Sequence, residues 1–241
     1  MRDHRGQVPG HGHRVFRAHH PGPACPRRIG GRGLGGAHRA IADRGRGGTR
    51  VTPGRLQCTR CLRPESNCIC RWITPTLTEA DVLILQHPLE VHQAKGSARL
   101  LHLSLSGSRL VTGEAFDPLA LQNLLDTDHR VNLLLYPGDA EGCHPDPLPT
   151  EPSQIRLVVL DGTWRKSRKM LHLNPALRQL PRLALQAPPP SRYLIRKAHR
   201  PDQLSTLEAT CLALQQLQKG PSVQFEPLLA AFAGFVASQR R

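Results

Sequence analysis

The stretch "IRLVVLDGTWRKSRKML", residues 155–171, begins like a buried β-strand and ends like a helix. Apolar residues dominate from Ile155 to Leu160, which is typical of a strand covered on both faces of a parallel sheet. Asp161, Thr163 and Trp164 then crowd the end of this strand. Because ligands bind beyond the carboxyl ends of parallel strands, we predict that these three side chains lie at the functional edge of the sheet.

A purely structural interpretation of the same residues stays open. Asp161 or Thr163 would cap the following helix, and Trp164 would cover the edge of the core. Similarly, Ser205 and Glu208 in "STLEA" have the spacing of a capping box, which is a sufficient structural reason for both residues.

Two earlier segments repeat the pattern of an apolar run that ends in polar, Gly or Pro residues. They are "VLILQHP" (82–88) and "VNLLLYPGD" (131–139). The periodicity predicts helices at 92–106, 117–127, 164–173, 205–218 and 226–238, and shorter strands at 109–112, 182–185 and 192–196. Strands that alternate with helices predict an α/β domain with a mainly parallel sheet. The sequence contains neither GxGxxG nor GxxxxGK[ST], so neither a dinucleotide Rossmann site nor a P-loop is indicated.

Four cysteines lie close together in "CTRCLRPESNCIC", residues 58–70. Cys58 and Cys61 form a CxxC pair, and Cys68 and Cys70 form a CxC pair after a short turn-forming segment. Four thiolates at this spacing suit a closed tetrahedral zinc site. An iron–sulfur cluster and four ordinary thiols are the alternatives. The short separation predicts a tight knuckle rather than a free-standing domain.

The net charge of +15 is unevenly distributed along the chain. Residues 1–50 contain 11 Arg against 2 Asp and 12 of the 21 Gly, without any helical or strand period. That composition cannot form a core, so residues 1–54 are either an RNA-binding arm or the result of a start assigned too early, and we favour the second. The domains then follow as a zinc knuckle at 55–75 and a catalytic domain at 76–241. No apolar run is long enough for a membrane span, and no secretory signal is evident, which favours a cytoplasmic protein.

Taken in order, the cysteine knuckle, "QHPLE", "YPG", "DGTW" and "SRYLIRK…LSTLEA" resemble the DTW-domain family over about residues 56–237. The chain most resembles the bacterial members that act as tRNA-uridine aminocarboxypropyltransferases. These enzymes move the 3-amino-3-carboxypropyl group of S-adenosylmethionine to N3 of a uridine, in this family the variable-loop uridine at tRNA position 47. The resemblance implies a SPOUT-like α/β fold with a C-terminal trefoil knot, S-adenosylmethionine as donor, structural zinc and tRNA as partner.

The resemblance also implies roles for particular residues. Asp161 would be the general base for N3 or would orient the base or the methionine ammonium, and a base would need a pKa above that of an ordinary aspartate. Trp164 would stack on a base or face the sulfonium, and Thr163 would donate a hydrogen bond. The residues expected around S-adenosylmethionine are Tyr136, Pro137, Gly138, Leu160, Gly162, Tyr193, Ser205, Thr206 and Glu208. The residues expected to bind tRNA phosphates are Arg192, Arg196, Lys197 and Arg200.

The chain departs from the family pattern at one place. Relatives often carry "NTARLL" where this chain has "GSARLL", so Gly96 and Ser97 replace Asn and Thr. Two other functions stay open: an RNA methyltransferase, and a zinc-containing RNA-binding protein without catalytic activity.

Overall fold

The computed structural model describes residues 56–138, 149–186, 188–191, 204–218 and 222–239. Within these residues the chain forms one five-stranded sheet in which all paired strands are parallel, as predicted. The strands are β1 (Asp81–Gln86), β2 (Ser108–Thr112), β3 (Val131–Leu135), β4 (Ile155–Asp161) and β5 (Arg182–Leu183). They lie side by side in the order β2-β1-β4-β3-β5, so β4 is the central strand.

Helices cover both faces of the sheet. They are α1 (Ala98–Ser104), α2 (Pro118–Asp126), α3 (Trp164–Leu173), α4 (Pro175–Arg178), α5 (Thr206–Gln218) and α6 (Glu226–Ser238). Leu157 and Val159 of β4 pack in a core cluster with α1, α5 and α6, whereas Val158 packs in a second cluster with α2, α3 and α4. This alternation follows from the opposite directions of successive strand side chains, and it explains why β4 is apolar on both faces.

The element bounds differ from the sequence prediction mainly where strands end. β1 stops at Gln86, because His87 and Pro88 begin a short 3₁₀ turn, and α1 is shorter than predicted because turns occupy residues 88–97. α4, which periodicity did not predict, begins at Pro175 directly after α3. A proline suits this first helical position, since its missing N–H would have no partner there.

A fully buried arginine fastens α2 to the sheet. Arg156 in β4 has no solvent exposure, and its Nε donates to Asp81 Oδ2 at 3.3 Å. Its remaining guanidinium N–H groups donate to the carbonyl oxygens of Leu124, Leu125 and Thr127, at the end of α2. These carbonyls would otherwise lack helical partners, so the buried charge also caps the helix.

The cysteine segment packs on the main domain rather than forming a core of its own. Cys58, Cys61 and Ile69 belong to the same core cluster as α5 and α6. Gly234 of α6 lies directly against the ring of Trp72, where an added Cβ would overlap ring atoms. This glycine therefore permits the close approach of α6 to the knuckle.

Several predictions fall outside the described residues. They are the extension at 1–54 and the strand at 192–196. The trefoil knot stays a prediction. No helix in the described part of the chain is both long and apolar enough to cross a membrane.

Candidate active site and metal centre

Asp161 ends β4 and is held at the carboxyl edge of the sheet by two side chains from distant parts of the chain. Gln86 Nε2 donates to Oδ2 at 2.9 Å, and Thr206 Oγ1 donates to Oδ1 at 2.7 Å. Gln86 is its register partner in β1, which brings the two side chains together. Asp161 is only 6% exposed. Its carboxylate is thus fixed in one orientation and does not cap the following helix.

Thr163 has the capping role that the structural interpretation allowed. Its hydroxyl accepts a hydrogen bond from the N–H of Lys166 at 3.4 Å, and α3 begins at the next residue. Gly162 lies between Asp161 and this cap, and an added Cβ there would come within 3.1 Å of Lys166 Cβ. The turn therefore separates two tasks: Asp161 points toward Gln86 and Thr206, and Thr163 starts the helix.

A cavity of about 310 Å³ opens at this edge of the sheet. Its walls come from the end of β4, the first residues of α3, the start of α5 and the loop that follows β1. The lining residues are Glu90, Gln93, Lys95, Gly96, Ser97, Asp161, Gly162, Thr163, Lys166, Ser205 and Thr206. The volume and the polar lining suit a small charged ligand rather than an apolar one.

An ion pair joins two walls of the cavity. Lys166 Nζ lies 2.8 Å from Glu90 Oε1, and both side chains are largely buried. The pair connects α3 to the loop after β1. It gives the cavity a positive and a negative group close together, which suits a zwitterionic ligand.

The start of α5 forms the third wall. Glu208 N–H donates to Ser205 Oγ at 3.2 Å, and Ser205 N–H donates to Glu208 Oε2 at 2.9 Å. This is the capping box that the sequence predicted. Leu207 N–H donates to Ser97 Oγ at 3.3 Å. Ser97, which stands where relatives often have Thr, therefore also supports this helix end. A threonine hydroxyl would supply the same acceptor.

Trp164 and Tyr136 form an aromatic pair where β3 and β4 end. Their ring centroids are 5.5 Å apart and the rings meet edge to face. The guanidinium of Arg182 lies over the Tyr136 ring at 5.3 Å. Trp164 stays 51% exposed, so its surface is available for a planar ligand such as a nucleobase.

The buried His87 connects the cavity edge to a charged cluster. Leu89 N–H donates to His87 Nδ1 at 3.1 Å, so the proton of the neutral ring lies on Nε2, which contacts Glu114 Oε1 at 2.8 Å. Glu114 also pairs with Lys169 at 2.9 Å. Lys169, followed by His87, lowers the pKa of Glu114 below its ordinary value. These contacts position the turn after β1.

The four predicted metal ligands converge on one point. Their Sγ atoms all lie within 4.8 Å of one another, with Cys58 to Cys70 at 3.5 Å and Cys61 to Cys68 at 3.8 Å. Tetrahedral zinc with Zn–S bonds of about 2.3 Å requires sulfur separations of roughly 3.8 Å. The four cysteines therefore fit a closed zinc site. Burial raises the pKa of both Cys68 and Cys70 in the metal-free knuckle, so metal binding must displace protons.

Arg63, between the two cysteine pairs, reaches the cavity wall. Its guanidinium donates to the carbonyl oxygens of Ala94 at 2.6 Å and Gly96 at 2.7 Å, with a longer contact to Gln93 at 3.4 Å. It also lies over the ring of Phe235 in α6. Because Gln93 and Gly96 line the cavity, the knuckle holds one wall of the candidate active site in place.

Comparison of the sequence with known proteins gives one family and several relatives. The sequence model of the DTW domain matches residues 55–240. The chain belongs to the DTW-domain family. A Drosophila melanogaster relative named tRNA-uridine aminocarboxypropyltransferase 2 is 31% identical over 183 residues, which cover 70% of this chain and 70% of the fly protein. Proteins of the same name from Macaca fascicularis and Mus musculus are 29% and 30% identical, and the match covers 70% of this chain and 59% of each of them.

These three relatives are animal proteins, whereas the sequence motifs predicted a resemblance to the bacterial members above all. No solved structure matches the chain.

In this DTW-domain protein the predicted site residues divide into four groups. Asp161, Gly162, Thr163, Ser205 and Thr206 line the cavity together. Trp164 and Tyr136 pair at the neighbouring strand end, where Pro137 and Gly138 follow, and these residues are outside the set that lines the cavity. Leu160 packs against the second core cluster, and Glu208 is engaged by Ser205 and Ser191. Tyr193 and the predicted phosphate-binding residues Arg192, Arg196, Lys197 and Arg200 lie outside the described residues.

Sequence reasoning missed four contributors to the DTW-domain site: Gln86, Glu90, Lys166 and Arg63. Gln86 was visible in "QHPLE" as a polar residue at the end of a strand. Glu90 and Lys166 are 76 positions apart in the chain, and Arg63 is about 30 positions from the residues that it contacts. No local pattern indicates such contacts.

Proposed function

We propose that this protein is a tRNA-uridine aminocarboxypropyltransferase that uses S-adenosylmethionine as the donor. The observation that carries the proposal is the carboxylate of Asp161, buried and oriented by Gln86 and Thr206 at the edge of a polar cavity. Membership of the DTW-domain family and the names of the three relatives supply the reaction class.

The proposed reaction forms a bond between uridine N3 and the methionine Cγ of S-adenosylmethionine. The bond between Cγ and the sulfonium sulfur breaks, its electron pair stays on sulfur, and 5′-methylthioadenosine leaves. The proton of N3 is released to water. Transfer of this group rather than of the methyl group requires that Cγ, not the methyl carbon, lies in line with N3.

Asp161 is suited to orient the N3–H group as a hydrogen-bond acceptor. Both of its oxygens already accept hydrogen bonds, from Gln86 and Thr206, and such bonds favour the ionised carboxylate. An ionised carboxylate has about four acceptor sites in total, so these two hydrogen bonds do not saturate it. A negative charge beside N3 stabilises the positive charge that develops on the attacking base before its proton leaves.

The methionine portion of the donor fits the charged walls of the cavity. Lys166 and Glu90 offer partners for its carboxylate and its ammonium group. In the first turn of α5, the N–H groups of Ser205, Leu207 and Glu208 already have acceptors. Thr206 N–H, beside them on the cavity wall, is the donor of this turn that we assign to the anionic carboxylate.

The metal in this proposal is zinc with a structural role. The cysteine knuckle is separate from the lining of the cavity, and its contribution there is made by Arg63. The SPOUT-like knot belongs to the proposal as well, because the parallel sheet with helices on both faces is compatible with it. A tRNA substrate implies that the protein works in the cytoplasm.

The proposal is tested with two isotopic labels. Purified protein is incubated with unmodified tRNA and S-adenosylmethionine that carries label either in its methyl group or in its carboxypropyl carbons, and the nucleosides are then separated. We expect RNA label only from the carboxypropyl carbons, on a uridine derivative, with equimolar 5′-methylthioadenosine.

The other possible results identify the alternatives. Label transferred only from the methyl group would show a methyltransferase. Binding of tRNA without transfer of either label would show an RNA-binding protein without catalytic activity. Mapping the modified nucleoside to variable-loop position 47 or elsewhere tests the predicted target.

A further inference from the structure

The outward face of α3 carries a run of basic residues that begins at the candidate active site. Trp164, Arg165, Arg168, Lys169 and His172 are all exposed, whereas Ser167, Met170 and Leu171 are buried. At 3.6 residues per turn, the exposed set spans about 140° of the helix surface, so it forms one continuous stripe. The stripe is about 12 Å long at 1.5 Å per residue.

Within the described part of the chain, two of the cations in this stripe lack an acidic partner. Lys166 pairs with Glu90, and Lys169 pairs with Glu114. Arg165 and Arg168 have no ion-pair partner among the described residues. This surface therefore suits a polyanion.

Trp164 links the basic stripe to the cavity. It is the first residue of α3, directly after Thr163, which lines the cavity, and half of its side chain is exposed. Its contact with Tyr136 holds the ring in place. Basic residues that follow an exposed, fixed aromatic ring form the combination by which proteins hold a single nucleic-acid strand with one base stacked.

We propose that the outward face of α3 binds the tRNA backbone, with Arg165 and Arg168 contacting phosphates next to the nucleotide that enters the cavity. The inference rests on the proposed function and adds the location and direction of the bound RNA. A basic face about 12 Å long can contact roughly two or three successive phosphates of one strand. The exposed ring of Trp164 favours RNA over an acidic protein surface or an anionic membrane, neither of which offers a base to stack.

The test measures the salt dependence of tRNA binding. Fluorescence anisotropy of a labelled, unmodified tRNA is followed between 50 and 300 mM KCl for the wild-type chain, Arg165→Gln, Arg168→Gln and the double variant. Arg130→Gln is the matched control, because Arg130 directly precedes β3 at the opposite edge of the sheet. Both helix side chains are exposed, so we expect unchanged melting temperatures.

Each helix variant should lower the slope of log Kd against log salt by about 0.7 to 0.9, and Arg130→Gln should leave it unchanged. A wild-type slope in the double variant would overturn the inference, even if the protein transfers the carboxypropyl label. Binding of phosphatidylserine vesicles that depends on Arg165 and Arg168, with tRNA binding unaffected, would also overturn it. If the wild-type chain binds no tRNA at any salt concentration, the proposed function fails together with the inference.

Discussion

At the scale of single residues, Asp161 and Arg156 show two different uses of a charge in the central strand. Asp161 lies at the strand end and lines the cavity, whereas Arg156 lies inside and is satisfied entirely by the protein. The first is therefore a candidate for function, and the second for stability. Each assignment gives a separate prediction.

Asp161→Asn should abolish most of the transfer while preserving the fold. The Gln86 amide can turn over and accept from the new amide group, which keeps a hydrogen bond between the two residues. Loss of the negative charge beside N3 should lower kcat by roughly 10² to 10³-fold, with little change in the Kd for tRNA. Asp126→Asn, at the exposed end of α2, serves as the control. Full turnover by the Asp161 variant would remove the residue from the mechanism.

Arg156→Met should destabilise the domain by about 3 to 5 kcal/mol, because it leaves Asp81 and three carbonyl groups without their buried donor. Urea denaturation followed by circular dichroism measures this loss. Arg109→Met is the matched control: Arg109 contacts the same Asp81 at 3.5 Å, but its side chain is 37% exposed. We expect about 1 kcal/mol or less for the control. Equal losses would show that burial of Arg156 has no special effect.

At the scale of elements, the cysteine knuckle and the loop after β1 act on each other through Arg63. Arg63→Ala removes the hydrogen bonds to Ala94 and Gly96, so the amides of residues 93–97 should exchange hydrogen roughly tenfold faster. S-adenosylmethionine should bind several-fold more weakly, since this loop lines the cavity. Hydrogen-exchange mass spectrometry and calorimetric titration measure the two effects.

Arg60→Ala is the control for that experiment, because Arg60 lies on the same knuckle and is exposed. Both variants should bind one zinc ion per chain. Rapid exchange in the Arg63 variant together with loss of zinc would instead show that Arg63 supports the knuckle itself. Exchange identical to that of the wild type would show that the loop needs no such support.

At the scale of the whole molecule, the knuckle shares its core with α5 and α6, so metal and domain stability should be coupled. Removing zinc with a chelator should lower the melting temperature of the entire domain by roughly 5 to 10 °C, in a single transition. Differential scanning calorimetry measures this change. Cys68→Ser should have a similar effect, whereas Cys211→Ala, a buried cysteine outside the metal centre, should retain the zinc. Two separate transitions would show an independent knuckle.

The sequence by itself determined the features that depend on neighbouring residues. Apolar runs predicted the parallel strands, because a strand that is buried on both faces is apolar at nearly every position. The spacing of Cys58, Cys61, Cys68 and Cys70 predicted the metal centre, and "STLEA" predicted the cap of α5. In "DGTW", the capping role is confirmed for Thr163, and the catalytic role of Asp161 stays a prediction.

Only the tertiary structure decided which distant groups meet. Gln86 and Thr206 are 75 and 45 residues from Asp161. They reach it because strand register and helix packing bring together the ends of β1 and β4 and the start of α5. Arg63 reaches Gly96 across 33 residues for the same reason. Such contacts depend on the packing of both core clusters, and local periodicity carries no information about which element will lie beside which.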